Sequence, residues 1–198
     1  MPSKSRESVE YTRRVWDNVY DWYKSADAKA QVVLAIDGAF VAFLADTIFS
    51  KPLDQLRPTV AQFSPLTWTL LALMVLSLLL SLGSAIFCLW SRMYSRKYMR
   101  LLLNEAEQRH QYPNNYPPEV MWFFQFIEIL DQKRFMSTLE SVGHEFEVEA
   151  LGVDIHMLSK SARRKHAAAN FGFVFSALTL NLLFASALSY LFSLAPNP

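Results

Sequence analysis

The sequence predicts an all-α membrane protein, and three observations carry that prediction. No charged side chain stands between Pro58 and Ser91, and none follows Lys165. Such runs exceed the ~20 residues needed to cross a bilayer core of ~30 Å. The rest of the chain shows helical periodicity and no useful run of the two-residue alternation that marks strands. The net charge of +1 hides this segregation within the 198 residues. Three transmembrane helices fall at about 31–49, 66–90 and 168–192. They extend into a cytoplasmic helical bundle.

The elements follow in order. Residues 1–30 read as a cytoplasmic helix: Val9, Thr12, Trp16, Val19, Tyr23 and Ala26 recur at three- and four-residue steps beside charged faces. The density of charge there rules out a cleavable signal peptide. Span one follows without an intervening proline, although Asp37 and Asp46 lie inside it. A carboxylate near the bilayer centre costs ~2.5–3.5 kcal/mol on insertion scales. Asp37 must therefore face protein or water, as a structural hydrogen-bonding group or as part of a pore or gate. Asp46 is near enough to the outer end to reach the interface. Ala35, Gly38 or Ala39, Ala42 and Ala45 form a ridge of small residues. Such a ridge suits close helix contact in lipid, within one subunit or between subunits.

Residues 31–90 form a hairpin of spans one and two. Trp68 and Trp90 bracket span two and Tyr190 lies near the end of span three, as in interfacial aromatic belts. Ser77, Ser81, Ser84 and Cys88 share one face of span two. In span three Asn170 and Asn181 are eleven residues apart, within about 20° of each other around a helix. These faces line a water path or glue helices together.

Residues 91–167 read as a cytoplasmic helical region. Span two is expected to continue as helix through "SRMYSRKYMRLLLNEAEQRH" until "YPNNYPP" stops it. An aromatic helix, "EVMWFFQFIEILDQ", puts Phe123, Phe126, Ile127 and Leu130 on one face. One long helix is expected from Arg134 to Lys165, with Leu139, Val142, Phe146, Ala150, Val153 and Met157 near a seven-residue period. Residues 168–198 supply the third span and an outer tail, completing one membrane unit over 1–198.

The chemistry is that of binding, not catalysis. No metal-binding His-Glu-x-x-His, Cys-x-x-Cys, Gly-x-Ser-x-Gly or Walker-type motif is present. The four histidines are scattered and Cys88 is the lone cysteine, so an enzyme, a cofactor and a metal are not expected. The densest basic patch is "KSARRKH". Its Lys160, Arg163, Arg164 and Lys165 suit anionic headgroups, at ~1 kcal/mol per charge. The sharper reading is capture of a phosphate-bearing signal, with help from Arg13 and Arg14.

Three stretches resemble the Pycsar-type transmembrane effector domain family of bacterial nucleotide-signalled anti-phage defence. "WYKSADAKAQVVLAIDGAFVAFL" is similar to the family's entry into its first span, with Asp27, Lys29 and Ala30 matching. "MWFFQFIEILDQKRFMSTL" resembles its aromatic helix followed by an acidic helix start. "EALGVDIHMLSKSARRKHAAANFGFVFSAL" resembles its closing helix, with Lys165 just before the last span. The resemblance implies a bacterial inner-membrane effector that answers a nucleotide second messenger made by an operon-encoded nucleotidyltransferase or cyclase. The messenger acts directly or through a partner. Relatives often carry a fused nucleotide-sensing domain, which is not expected here. A homo-oligomer that conducts ions or disrupts the bilayer is one expectation; a membrane-anchored scaffold or receptor that relays a signal without conduction is the other. Three spans cannot enclose an aqueous pore, so conduction needs several copies. Polar faces in all three spans favour the first.

Lysine and arginine counts set the orientation. Six precede span one, two lie between spans one and two, eleven between spans two and three, and none follows span three. The N-terminus is then cytoplasmic and the C-terminus outside. A C-terminal alkaline-phosphatase fusion should be active, and a fluorescent fusion that folds only in the cytoplasm should be dark. The reverse pattern would overturn the three-span topology.

Overall fold

The computed structural model describes residues 2–50, 52, 58, 60–90, 95–109 and 115–194, with side chains from residue 6 onward. The elements are α1 (Pro2–Phe49), α2 (Pro65–Leu89), α3 (Arg96–Arg109), a 3-10 turn (Pro118–Val120), α4 (Phe124–Ile127), α5 (Gln132–Glu140) and α6 (His144–Leu194). No strand occurs among the described residues. The two basic residues between spans one and two, "SRMY", the first three residues of "YPNNYPP" and the end of the outer tail lie outside them.

Two compact units result. One is drawn from Met1–Lys24 and Ser91–Arg163, the other from Ser25–Trp90 and Arg164–Pro198. The helices α1 and α6 contribute to both. At 1.5 Å per residue their 48 and 51 residues give lengths of about 72 and 76 Å, well beyond a bilayer core.

The charged unit is built on the stripe of α1. Val9 and Val19 are buried, and Thr12 and Trp16 are partly so. The Trp16 indole stacks on Tyr20 at 5.0 Å and donates through Nε1 to Asp154 Oδ2 of α6 at 2.5 Å. Arg13 pairs with Glu147. A second cluster joins Met99 and Ala106 of α3 to Tyr116, Val120, Met121 and Phe126. Arg134 is its polar hub: it bonds Glu107 at 2.5 Å and the Asn115 carbonyl at 3.0 Å, and lies 4.2 Å over the Tyr116 ring.

Three helix boundaries differ from expectation. The helix of span two ends at Leu89, because Trp90 turns to an extended conformation, with ψ of 114°. The apolar stripe of α3 is buried instead in the cluster around Tyr116. The aromatic helix is a single turn, Phe124–Ile127. Its continuation is cut because Asp131 starts a new helix: its N–H donates to the Tyr116 hydroxyl and its carboxylate accepts from Arg134 N. The segment from Arg134 to Lys165 is two helices. Ser141 leaves the helix, bonding the Thr138 carbonyl and accepting from Asn115, and Gly143 follows. Side-chain bonds of this kind compete with helix, and glycine costs ~1 kcal/mol there. Leu139 and Val142 are accordingly exposed, whereas Ala150 is buried. The seven-residue pattern does not form one packed face.

The apolar unit contains α2 and the later parts of α1 and α6. Ser64 caps α2, accepting from Thr67 N, and Pro65 sits in its first turn. Small residues bring the helices together: Ala30 and Val33 of α1, Ala85 and Cys88 of α2, and Ala169 of α6 are all nearly inaccessible. Further along, Phe40 packs on Met74 and Leu78. Beyond them Phe63 meets Trp68 at 5.7 Å and Tyr190 at 5.2 Å, an aromatic group at one end of the apolar stretch.

Candidate functional site

The apolar unit hides a polar seam. On α2, Ser77, Ser81, Ser84 and Cys88 recur at four-, three- and four-residue steps, which keeps them on one face. Each donates to a main-chain carbonyl of the antiparallel α6. Ser77 Oγ donates to Phe175 O at 2.9 Å, Ser81 to Gly172 O at 2.9 Å and Ser84 to Ala168 O at 2.6 Å. Cys88 Sγ reaches Lys165 O at 3.4 Å. The register holds to the far end, where the Thr67 and Ser189 hydroxyls lie 2.9 Å apart. The carbonyls keep a lone pair to spare beyond their helical bonds, so the contact needs no break in α6.

Asp37 joins this seam from α1. It is 2 % exposed, and its Oδ2 lies 2.5 Å from Ser81 Oγ. Ser81 therefore touches all three apolar helices. Its own side chain is fully buried. Close approach at this level depends on Gly172, where an added Cβ would stand 3.3 Å from Val33 Cγ1 and 3.6 Å from Ser81 O.

A second constellation closes one end of the seam. Lys165 Nζ of α6 donates to both carboxylate oxygens of Asp27 on α1, at 2.7 and 2.9 Å. Cys88 lies beside them, with Sγ 3.6 Å from Ala26 O. Ala30 belongs to the tight cluster one turn further along. Lys29, between them in sequence, is half-buried. Asp27 and Lys165, 138 residues apart, thus form one ion pair at the start of the apolar helices.

The predicted site residues divide accordingly. Asp37, Ser77, Ser81 and Ser84 come together in the seam. Asn170 and Asn181 do not: both are exposed, and Asn181 Nδ2 donates to Ala177 O of its own helix at 2.8 Å. The small ridge of α1 also faces outward, with Ala35, Gly38, Ala39 and Ala42 exposed. Of the basic candidates, Arg13 and Lys165 are already paired with carboxylates. Arg14, Lys160, Arg163 and Arg164 are exposed. Sequence reasoning missed Gly172, Ser176 and Thr179, the buried small and polar residues of α6 that share its inner face. The four-residue step from Ala168 to Gly172 to Ser176 was the available signal.

The fold and the seam define a helical protein with three helices, among the described residues, long and apolar enough to cross a membrane. Residues 11–193 match the family model for the Pycsar effector protein domain, and the chain belongs to that family of defence effectors. No curated protein and no solved structure matches it.

The ion pair makes a measurable claim. Removing one member should cost about 1–3 kcal/mol, less than the ~3–5 kcal/mol of a fully buried pair, because water reaches both groups. In detergent titrations of folded protein, Lys165→Met should lose this much. Adding Asp27→Asn should restore at least half. Additive losses in the double variant would show that the two groups are not energetically coupled.

Proposed function

We propose that the chain is the membrane-acting effector of a nucleotide-signalled bacterial defence system, sited in the inner membrane with its N-terminus cytoplasmic and its C-terminus outside. On the signal, several copies assemble or open as an ion-conducting or membrane-disrupting channel, and growth stops. The signal is a nucleotide second messenger from an operon-encoded nucleotidyltransferase or cyclase, bound by this chain or by a partner. The protein performs no catalysis itself.

The observation that carries the reading is Asp37. A membrane anchor has no use for a carboxylate deep among apolar helices, where insertion scales charge ~2.5–3.5 kcal/mol for it. Intramembrane ionisable groups of this kind belong to ion paths, proton relays and gates. In the resting chain Asp37 is closed off by Ser81 and the Gly172 carbonyl behind it. Activation turns this seam toward a path shared between copies. The family membership supports the defence role, and the continuity of α1 from its charged stripe to Asp37 supports a signal received on one part of the helix and acted on by another. Among the basic candidates the exposed Arg14, Lys160, Arg163 and Arg164 are the ones left available to an anionic signal.

Dye entry and membrane depolarisation, read in cells making each variant with the activating partner at matched protein level, decide the matter. Asp37→Leu should insert at least as well as the parent yet fail to depolarise. Asp37→Asn should be intermediate, since it keeps polarity without charge. Full depolarisation by Asp37→Leu would reduce Asp37 to a packing residue and favour relay without conduction.

A further inference from the structure

The outward face of α6 holds a polar group that its own chain leaves largely unserved. Asn181 lies near the middle of the apolar run 168–192 and points away from the seam formed by Gly172, Ser176 and Thr179. Around it the exposed side chains are apolar: Val174, Leu178 and Phe184 are 64 %, 42 % and 68 % exposed. A side-chain amide carries two donor hydrogens and an acceptor oxygen. One hydrogen goes to Ala177 O. The other and the oxygen have no partner among the described residues.

Lipid tails cannot supply one, and an unsatisfied polar group in hydrocarbon is costly. The missing partner must sit at the same depth and offer both a donor and an acceptor. A second copy of this chain meets both conditions. Rotation about an axis along the membrane normal leaves every residue at its own depth, so Asn181 of one copy comes level with Asn181 of the next. The amide is self-complementary, donating from nitrogen and accepting at oxygen. We propose that the Asn181 face of α6 is the contact between copies of this chain, closed by amide-to-amide hydrogen bonds. The proposal rests on the reading of the protein as a membrane oligomer and names the surface that makes it one. Asn170, exposed on the same side of α6, extends the contact toward the membrane surface.

Cross-linking of the full-length protein in native membranes tests this, in a Cys88→Ser background that keeps a donor toward the Lys165 carbonyl. The Asn181→Cys variant should form disulfide-linked dimers on oxidation. A Leu73→Cys control should give at least tenfold less: Leu73 is 47 % exposed on α2, and the antiparallel register places it near the depth of Asn181. In mild detergent, native mass measurement should find the oligomer lost in Asn181→Leu and kept in Asn181→Gln. No excess of dimer from Asn181→Cys over the control would overturn the proposal and leave Asn181 facing lipid. Rapid labelling of Asn181→Cys by a charged, membrane-impermeant thiol reagent without cross-linking would overturn it in favour of a water-lined path. The two readings fail separately. An Asn181→Leu variant that still assembles and depolarises cells removes this interface and spares the channel. Disulfide dimers from Asn181→Cys, together with a parent protein that never depolarises cells with its activating partner, remove the channel and spare the interface.

Discussion

The Ser81 hydroxyl is the contact on which the apolar unit depends. It is a point where α1, α2 and α6 meet through polar atoms, with Asp37 on one side and the Gly172 carbonyl on the other. Lipid gives helices no hydrophobic reason to prefer each other over the surrounding tails. Specific pairing must come from close packing and hydrogen bonds. The row of donors on α2 supplies both, because serine and cysteine are small enough to let the backbones approach and polar enough to bond the facing carbonyls. The row also fixes register. Sliding α6 by one residue would move every carbonyl away from its donor at once.

The same arrangement gives the buried carboxylate its place. Asp37 is tolerated because a hydroxyl meets it, and that hydroxyl is held in position by the helix pair behind it. Asp27 and Lys165 act at the neighbouring level, where α1 and α6 leave the charged sequence and become apolar. The two carboxylate links from α1 to the α2–α6 pair, at Asp27 and Asp37, lie ten residues apart along α1. Both links join the same continuous helix, α1, to the other two apolar helices.

Much of this was legible in the sequence, and the limits have physical causes. The second and third apolar helices followed from uncharged length, and the first from hydropathy in spite of Asp37 and Asp46. The inner face of α1 followed from its three- and four-residue spacing, because burial against protein and exposure to water leave opposite residues on opposite faces. Inside the apolar runs that contrast is missing, since the lipid-facing side is as hydrophobic as the core. The serine face of α2 was visible as a pattern. That Asn181 turns outward while Ser176 and Thr179 turn inward was not. The breaks at Trp90 and at Ser141–Gly143 escaped for another reason. Each is set by tertiary contacts: the stripe of α3 seeks the Tyr116 cluster, and Ser141 bonds Asn115, 26 residues earlier. Gly143 was the one local sign of the second break. The acidic helix start seen in the sequence survives as the Asp131 cap.

The central claim is that Asp37 and Ser81 form one energetic unit across the apolar helices. A double-substitution cycle measured by detergent-induced unfolding of the full chain in bilayer discs tests it most directly. Ser81→Ala alone should lose about 1–3 kcal/mol, because Asp37 is left buried without the hydroxyl that meets it. In an Asp37→Leu background the same change should cost only the Gly172 bond, ~0.6 kcal/mol. An equal loss in both backgrounds would mean that the two residues do not interact and that the seam holds the helices without Asp37.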